Sequence, residues 1–219
     1  MRPDLPKMLR NPEVKAARLL QLHEDHMAPL TRFVEELRVS AGTGAAIPYF
    51  DPWDGGVEAD VLFLLEAPGP KAVGSSFISR NNPDETAKNF FNLTNEAGLQ
   101  RKKSVVWNAV PWYIGSGTKI RAANPKDLEA GLRPLPMLLD LLPHLKAIVF
   151  MGQKAQKARS QVELLRPDLA LFSCPHPSPM FINRLPGNRA RAKEASRALE
   201  NLRTLCDLQG ELHLVEPSS

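Results

Sequence analysis

Three proline-rich segments carry side chains able to bind or polarise a ligand. They are Glu66-Ala67-Pro68-Gly69-Pro70, Trp107-Asn108-Ala109-Val110-Pro111-Trp112 and Pro175-His176-Pro177-Ser178-Pro179. Proline stiffens a loop, so a polar group beside it is held in a restricted range of positions, as a recognition or catalytic group must be. Asn108 can both donate and accept a hydrogen bond, His176 can polarise a ligand near neutral pH, and Glu66 is the ionisable group of the first segment. The sequence has no Gly-x-Ser-x-Gly, no phosphate-binding glycine loop and no cluster spaced for a metal. His23 and His26, flanking Glu24 and Asp25, come nearest to a metal pair. Two histidines three apart without a further ligand read as a solvated helix face, and no metal is expected.

The elements around these segments alternate. Apolar residues at helical spacing (Leu19, Leu20, Leu22, Met27, Leu30, Phe33, Val34, Leu37) predict a helix over about 12–38, followed by a Gly/Pro-rich loop over 41–57. The apolar run 61–65 predicts a strand covered on both sides. Asn82-Pro83-Asp84-Glu85 predicts a helix start with Asn82 as cap, and Gly98 its stop. Strands are expected over 104–110, 147–150 and 169–173, and helices from Asn124 to about Leu142, from Gly152 to about Leu165, and over about 188–208. Four strand–helix alternations predict an α/β fold: a three-layer α/β/α sandwich around a four-stranded, mainly parallel sheet. The chain reads as one domain over 1–219, with 1–40 a helical extension packed on it. In such sheets the ligand crevice lies beyond the carboxyl ends of the strands, where the winding reverses, and the three proline-rich segments stand there.

Composition narrows the class. The 219 residues are 43% apolar, enough for one substantial core. No run approaches the roughly 20 apolar residues of a membrane span, and the N-terminus lacks a secretory signal. Two cysteines make no disulfide framework and fall short of an iron–sulfur or four-cysteine zinc site, so a reducing, cytoplasmic setting and no cofactor are expected. A net charge of +4 permits a polyanionic partner without demanding one.

Taken together, the three segments resemble the motifs of the uracil-DNA glycosylase superfamily: a Gly/Pro-rich turn after the first strand, a strand ending in a recognition Asn, and His-Pro-Ser. The Glu66-Ala67-Pro68-Gly69 wording is closest to the thermophilic iron–sulfur branch, and the similarity covers about residues 45–205. The resemblance implies hydrolysis of the bond between uracil and deoxyribose in DNA by a monofunctional enzyme that extrudes the base and leaves an abasic site. It implies that His176 stabilises the leaving uracil anion, that Asn108 reads the base with Ala67, Pro68 and Gly69 around it, and that Phe77 stacks on it. It also implies that Met180 and Phe181 wedge into the duplex, and that Ser178, Arg184 and Arg189 meet phosphates, with Arg191, Lys193 and Arg197 extending the basic cluster. A monomer acting on uracil-containing DNA, without an iron–sulfur cluster, is the resulting expectation.

The sequence departs from the family pattern in ways that bear on chemistry. Leu65 stands where the first glycine is usual, Ala67 where one branch has a water-activating Asp, and Gly69 where it has a methyl-excluding Tyr. Glu66 is then the nearest candidate to position water, with Asn81, Asn82 or Asp84 from the following loop as others. Cys174 and Cys206 read as small apolar residues. Two further readings stay open: a glycosylase for another deaminated base, and a module that binds DNA or a base without cutting.

Overall fold

The computed structural model describes residues 3–42, 44–117 and 119–182. The N-terminal helix expected over 12–38 is two helices. Asn11 accepts the Glu13 amide at 2.8 Å and opens α1 (Pro12–Leu19). The chain then passes through a 3-10 turn (Leu20–His23) before α2 (Ala28–Ala41). Pro29 fixes the restart, since the first helical turn is where a missing amide hydrogen costs nothing.

Within the Gly/Pro-rich loop, β1 (Tyr49–Phe50) forms a short parallel pair with β3 (Phe77–Ile78). Between them lie β2 (Val61–Leu65) and α3 (Pro70–Ser75). Next comes α4 (Glu85–Glu96), capped by Asp84, whose carboxylate accepts the Ala87 amide at 2.9 Å. Asn82 is not the cap. Its carboxamide is buried, accepting from the Ser75 hydroxyl at 2.6 Å and donating to the Phe77 carbonyl at 2.9 Å. Asp84 replaces it with a negative charge at the positive end of the helix.

Then follow β4 (Ser104–Asn108), α5 (Pro125–Leu132), α6 (Leu135–Asp140), β5 (Ala147–Met151), α7 (Arg159–Leu165), β6 (Ala170–Cys174) and α8 (Pro179–Ile182). Asn124 and Asp127 close a reciprocal capping box at the start of α5. The helix expected to reach Leu142 is divided, because Pro134 ends α5 and begins α6. The helix expected over 188–208 lies outside the described residues.

The main sheet has the order β4-β2-β5-β6, with every pair parallel. From β2 the chain steps outward to β4, then returns past β2 to β5 and β6, so the winding reverses beside β2. Register defines two faces. Phe63, Leu65, Val106, Asn108, Val149, Met151 and Cys174 alternate onto one, which α4 covers by setting Phe90 edge-on to Phe63 at 4.9 Å. Trp107 and Phe150 lie on the other. There Phe33 of α2 and Phe50 pack on Trp107, and Arg159 of α7 lies over Phe150. Helices therefore cover both faces, as the alternation predicts.

Gly131 lets α5 approach the end of β4: a Cβ there would stand 2.4 Å from the Ala109 carbonyl oxygen. No helix among the described residues is long and apolar enough to cross a membrane.

Candidate active site

The carboxyl ends of β2, β4, β5 and β6 open onto a cavity of about 930 Å³. Leu65, Asn108, Met151 and Cys174 form its floor, all on the sheet face covered by α4. Its walls are the Glu66–Gly69 turn, the start of α4 at Asp84, Ala87 and Phe90, and the His176–Ser178 loop. The structure thus brings Glu66, Ala67, Pro68, Gly69, Asn108, His176, Ser178 and Met180 to one site.

Asn108 is the last residue of β4 and is almost fully buried. Its neighbourhood is rigid: beyond the strand, Ala109 donates to the Leu65 carbonyl at 2.8 Å and Val110 to Glu66 at 2.9 Å. This continued pairing accounts for the strand signal reaching Val110 in the sequence. The Asn108 Nδ2 has no hydrogen-bond partner although it is buried and borders the cavity. An amide donor left this way costs about 1–3 kcal/mol, so the site holds a group that a ligand acceptor would satisfy.

His176 enters from the other side of the cavity, two residues beyond β6. Its Nδ1 accepts the Ser178 amide at 3.2 Å, so in the neutral ring the proton sits on Nε2. Burial pushes its pKa below the ordinary 6.5, against the opposing pull of Glu66 and Asp84. The imidazole is therefore neutral near pH 7 and offers Nε2–H as a donor. Its loop is tied to α4, where Asn89 donates to the Pro177 carbonyl at 2.9 Å. Gly152, at φ +88°, faces it: a Cβ there would stand 3.0 Å from the His176 Cβ.

Glu66 Oε1 accepts the Ala123 amide at 2.6 Å, and Lys154 Nζ donates to the Ala123 carbonyl at 2.6 Å. Asn81 and Asn82, the other groups considered for water, are engaged elsewhere. Asn82 supports β3, and Asn81 accepts from Arg18 at 3.1 Å and Arg101 at 2.6 Å. Asp84 borders the cavity, its carboxylate capping α4.

Phe77 is a correction to the sequence reading. It is fully buried away from the cavity, in a small cluster with Leu9, Val14 and Leu22 beneath the N-terminal arm. The aromatic that borders the cavity is Phe90, with the Arg80 guanidinium over its ring at 5.2 Å. The sequence signal for it is helical spacing from the α4 cap, which puts Thr86, Ala87 and Phe90 on one side. The sequence reading also passes over Lys154, Ile120 and Arg121, which line the mouth. Lys154 follows β5 as the proline-rich segments follow the other strands. Met180 is exposed and borders the cavity. Phe181 belongs to α8, while Arg184, Arg189, Arg191, Lys193 and Arg197 lie outside the described residues, as does Cys206. The His26 Nε2 meets the Pro52 carbonyl at 3.0 Å.

The family model of the uracil DNA glycosylase superfamily matches residues 52–203, and the chain belongs to that superfamily. Among solved structures, it is similar to the crystal structure of wild-type SMUG2 from Pedobacter heparinus. The TM-score is 0.53 at 14% identity, covering 88% of this chain and 98% of that one. A solution structure of a proposed uracil DNA glycosylase from Methanosarcina acetivorans matches at TM-score 0.47 and 16% identity, covering 66% of this chain and 91% of the other. No curated protein sequence matches significantly.

Proposed function

We propose that the protein is a monofunctional DNA glycosylase that removes uracil, leaving an abasic site. One observation carries this reading: the unpaired Asn108 Nδ2 and the His176 Nε2–H border the same cavity at the reversal of the sheet. The glycosidic bond is out of reach in a stacked duplex, so the nucleotide must be extruded into the cavity. At about 930 Å³ the cavity lies toward the upper end of ordinary ligand sites, with room for a base and its sugar.

Within it, Asn108 Nδ2 donates to uracil O4 while Oδ1 accepts from N3–H. Cytosine presents an amino donor and a bare N3 at those places, leaving both amide groups unpaired and buried. As the sugar becomes oxocarbenium-like, negative charge gathers on uracil O2, where His176 Nε2–H donates. A neutral donor aimed at developing charge lowers the barrier without transferring a proton. Glu66 keeps its second oxygen, Oε2, for the attacking water. Met180 fills the space left in the duplex, and Ser178 meets a phosphate beside it.

A larger deaminated base is the second reading. A Cβ built on Gly69 meets no atom within 4 Å, so no side chain at this position crowds the base. Labelled oligonucleotides carrying uracil, hypoxanthine, xanthine, or thymine opposite guanine, incubated with the protein and then treated with alkali, test both. Cutting at uracil supports the first reading and cutting only at the purines the second. Binding without cutting contradicts both.

A further inference from the structure

The connection between β4 and α5 brings Ile120, Arg121 and Ala122 to the lining of the same cavity that His176, Ser178 and Met180 border. Ile120 is 48% exposed there, an apolar side chain spent on solvent beside a site that takes DNA in the preceding proposal. The segment is nonetheless firmly held. Glu66 accepts the Ala123 amide and Lys154 donates to the Ala123 carbonyl, each at 2.6 Å. The Tyr113 hydroxyl reaches the Gly117 and Lys119 carbonyls at 2.9 and 3.1 Å.

Arg121 is oriented too. Its two terminal nitrogens donate to the two oxygens of Asp127 at 2.5 and 2.9 Å, and Asp127 is itself part of the α5 capping box. The hydrogen bond from Arg121 helps hold Asp127 down to about 2, so Asp127 carries its charge at ordinary pH. This end-on grip leaves the Nε edge open: no described residue accepts from Nε, and half of the side chain is exposed. A guanidinium fixed along one edge and open along the other is suited to a phosphate oxygen pair.

We infer that residues 119–123 form a second DNA-contacting element, in which Arg121 binds a backbone phosphate and Ile120 makes apolar contact with the duplex beside the extruded nucleotide. The inference rests on the glycosylase reading for its ligand. Glu66 is then also a positioning residue, because it ties this rim to the end of β2.

The test measures binding of the full chain to a duplex containing a tetrahydrofuran abasic-site analogue, across a range of salt concentrations. Arg121→Gln should weaken binding about ten-fold and reduce the slope of log affinity against log salt by about one. Ile120→Ala should weaken duplex binding about five-fold with the slope unchanged. Arg133→Gln, at the exposed residue that caps the end of α5 and pairs with Glu129 at 3.2 Å, should alter neither. All three should keep the wild-type melting temperature. An unchanged slope for Arg121→Gln overturns the inference. It leaves the glycosylase reading standing if the wild type still cuts uracil; a protein that shifts its slope as expected but cuts no base overturns that reading alone.

Discussion

Two regions of the molecule hold polar groups away from water and treat them in opposite ways. Beneath the N-terminal arm, Asp51 and Asp54 are surrounded by Arg18, Arg80 and Arg101. Arg18 and Arg101 each donate to Asp51 Oδ2 at 2.6 Å, and Arg101 reaches Asp54 at 2.8 Å. Ser79 and the Trp53 amide complete the shell of Asp51. The cavity, by contrast, leaves the buried Asn108 amide donor without a partner and holds a half-buried, neutral His176. The first arrangement spends its charges on one another and ties together the segments that carry Arg18, Asp51–Asp54, Ser79–Arg80 and Arg101. The second keeps its hydrogen-bonding capacity for something that is not protein. Unpaired atoms occur in the charge cluster as well, at Arg18, Arg80 and Asp54, but there each side chain is anchored through its other atoms.

This contrast can be broken by substitution. The largest effect is expected at Asp51. Asp51→Ala leaves Arg18 and Arg101 buried beside a missing partner and should cost about 3–5 kcal/mol in denaturant unfolding. A loss below about 1 kcal/mol would show that the cluster is not what holds the arm. His176→Ala and Asn108→Ala should behave in the opposite sense. Each should lower the single-turnover rate of uracil excision by about 10²–10³-fold with the melting temperature kept. Removing the unpaired Asn108 amide gives up no protein contact through Nδ2, so a variant that unfolds instead would place Asn108 with the structural group.

Phe77→Leu sharpens the boundary between the regions. It should cost about 1 kcal/mol of stability, as a shape change in a packed cluster does, while the excision rate of the folded protein stays unchanged. A rate loss comparable to that of Asn108→Ala would return Phe77 to the site.

The smallest effect is in pH. The folded His176 titrates below 6.5, so as pH falls from 7 the unfolded chain takes up this proton first, and stability declines as the pH passes below 6.5. Protonation would also place hydrogen on Nδ1, against the Ser178 amide it accepts. The excision rate should stay flat from neutral pH through 6.5 and fall only in more acid solution, where the folded His176 takes up its proton, and His176→Ala should abolish that fall. Asp51 acts further into acid. Burial raises its pKa, but Arg101 and Arg18 overcome this and hold it below the ordinary carboxylate value. Its contribution is complete above that value and is lost on stronger acidification.

The strands and the site were readable in the sequence for the same reason. Buried parallel strands are short apolar runs, and the segments following them carry Asn108, Glu66 and His176 next to prolines, so local pattern and function coincide. The charge cluster was not readable, because Arg18, Asp51, Arg80 and Arg101 come from segments far apart and nothing local marks an arginine as buried. Phe77 misled because an aromatic after a Gly-Ser-Ser turn has the same local signature whether it faces a cavity or the underside of a helix. Its packing depends on Leu9, Val14 and Leu22, more than fifty residues earlier. The short β1–β3 pair was invisible because two residues carry no periodicity.

The central claim is that the Asn108 carboxamide and the His176 imidazole bind one extruded base together, at O4 and N3–H and at O2 respectively. A crystal structure with a duplex containing a 2′-fluorinated, uncleavable deoxyuridine tests it directly. The account predicts uracil O4 within about 2.7–3.2 Å of Asn108 Nδ2 and O2 at a similar distance from His176 Nε2. A base that remains stacked in the duplex, or that enters the cavity while the Asn108 amide stays unpaired, would contradict it.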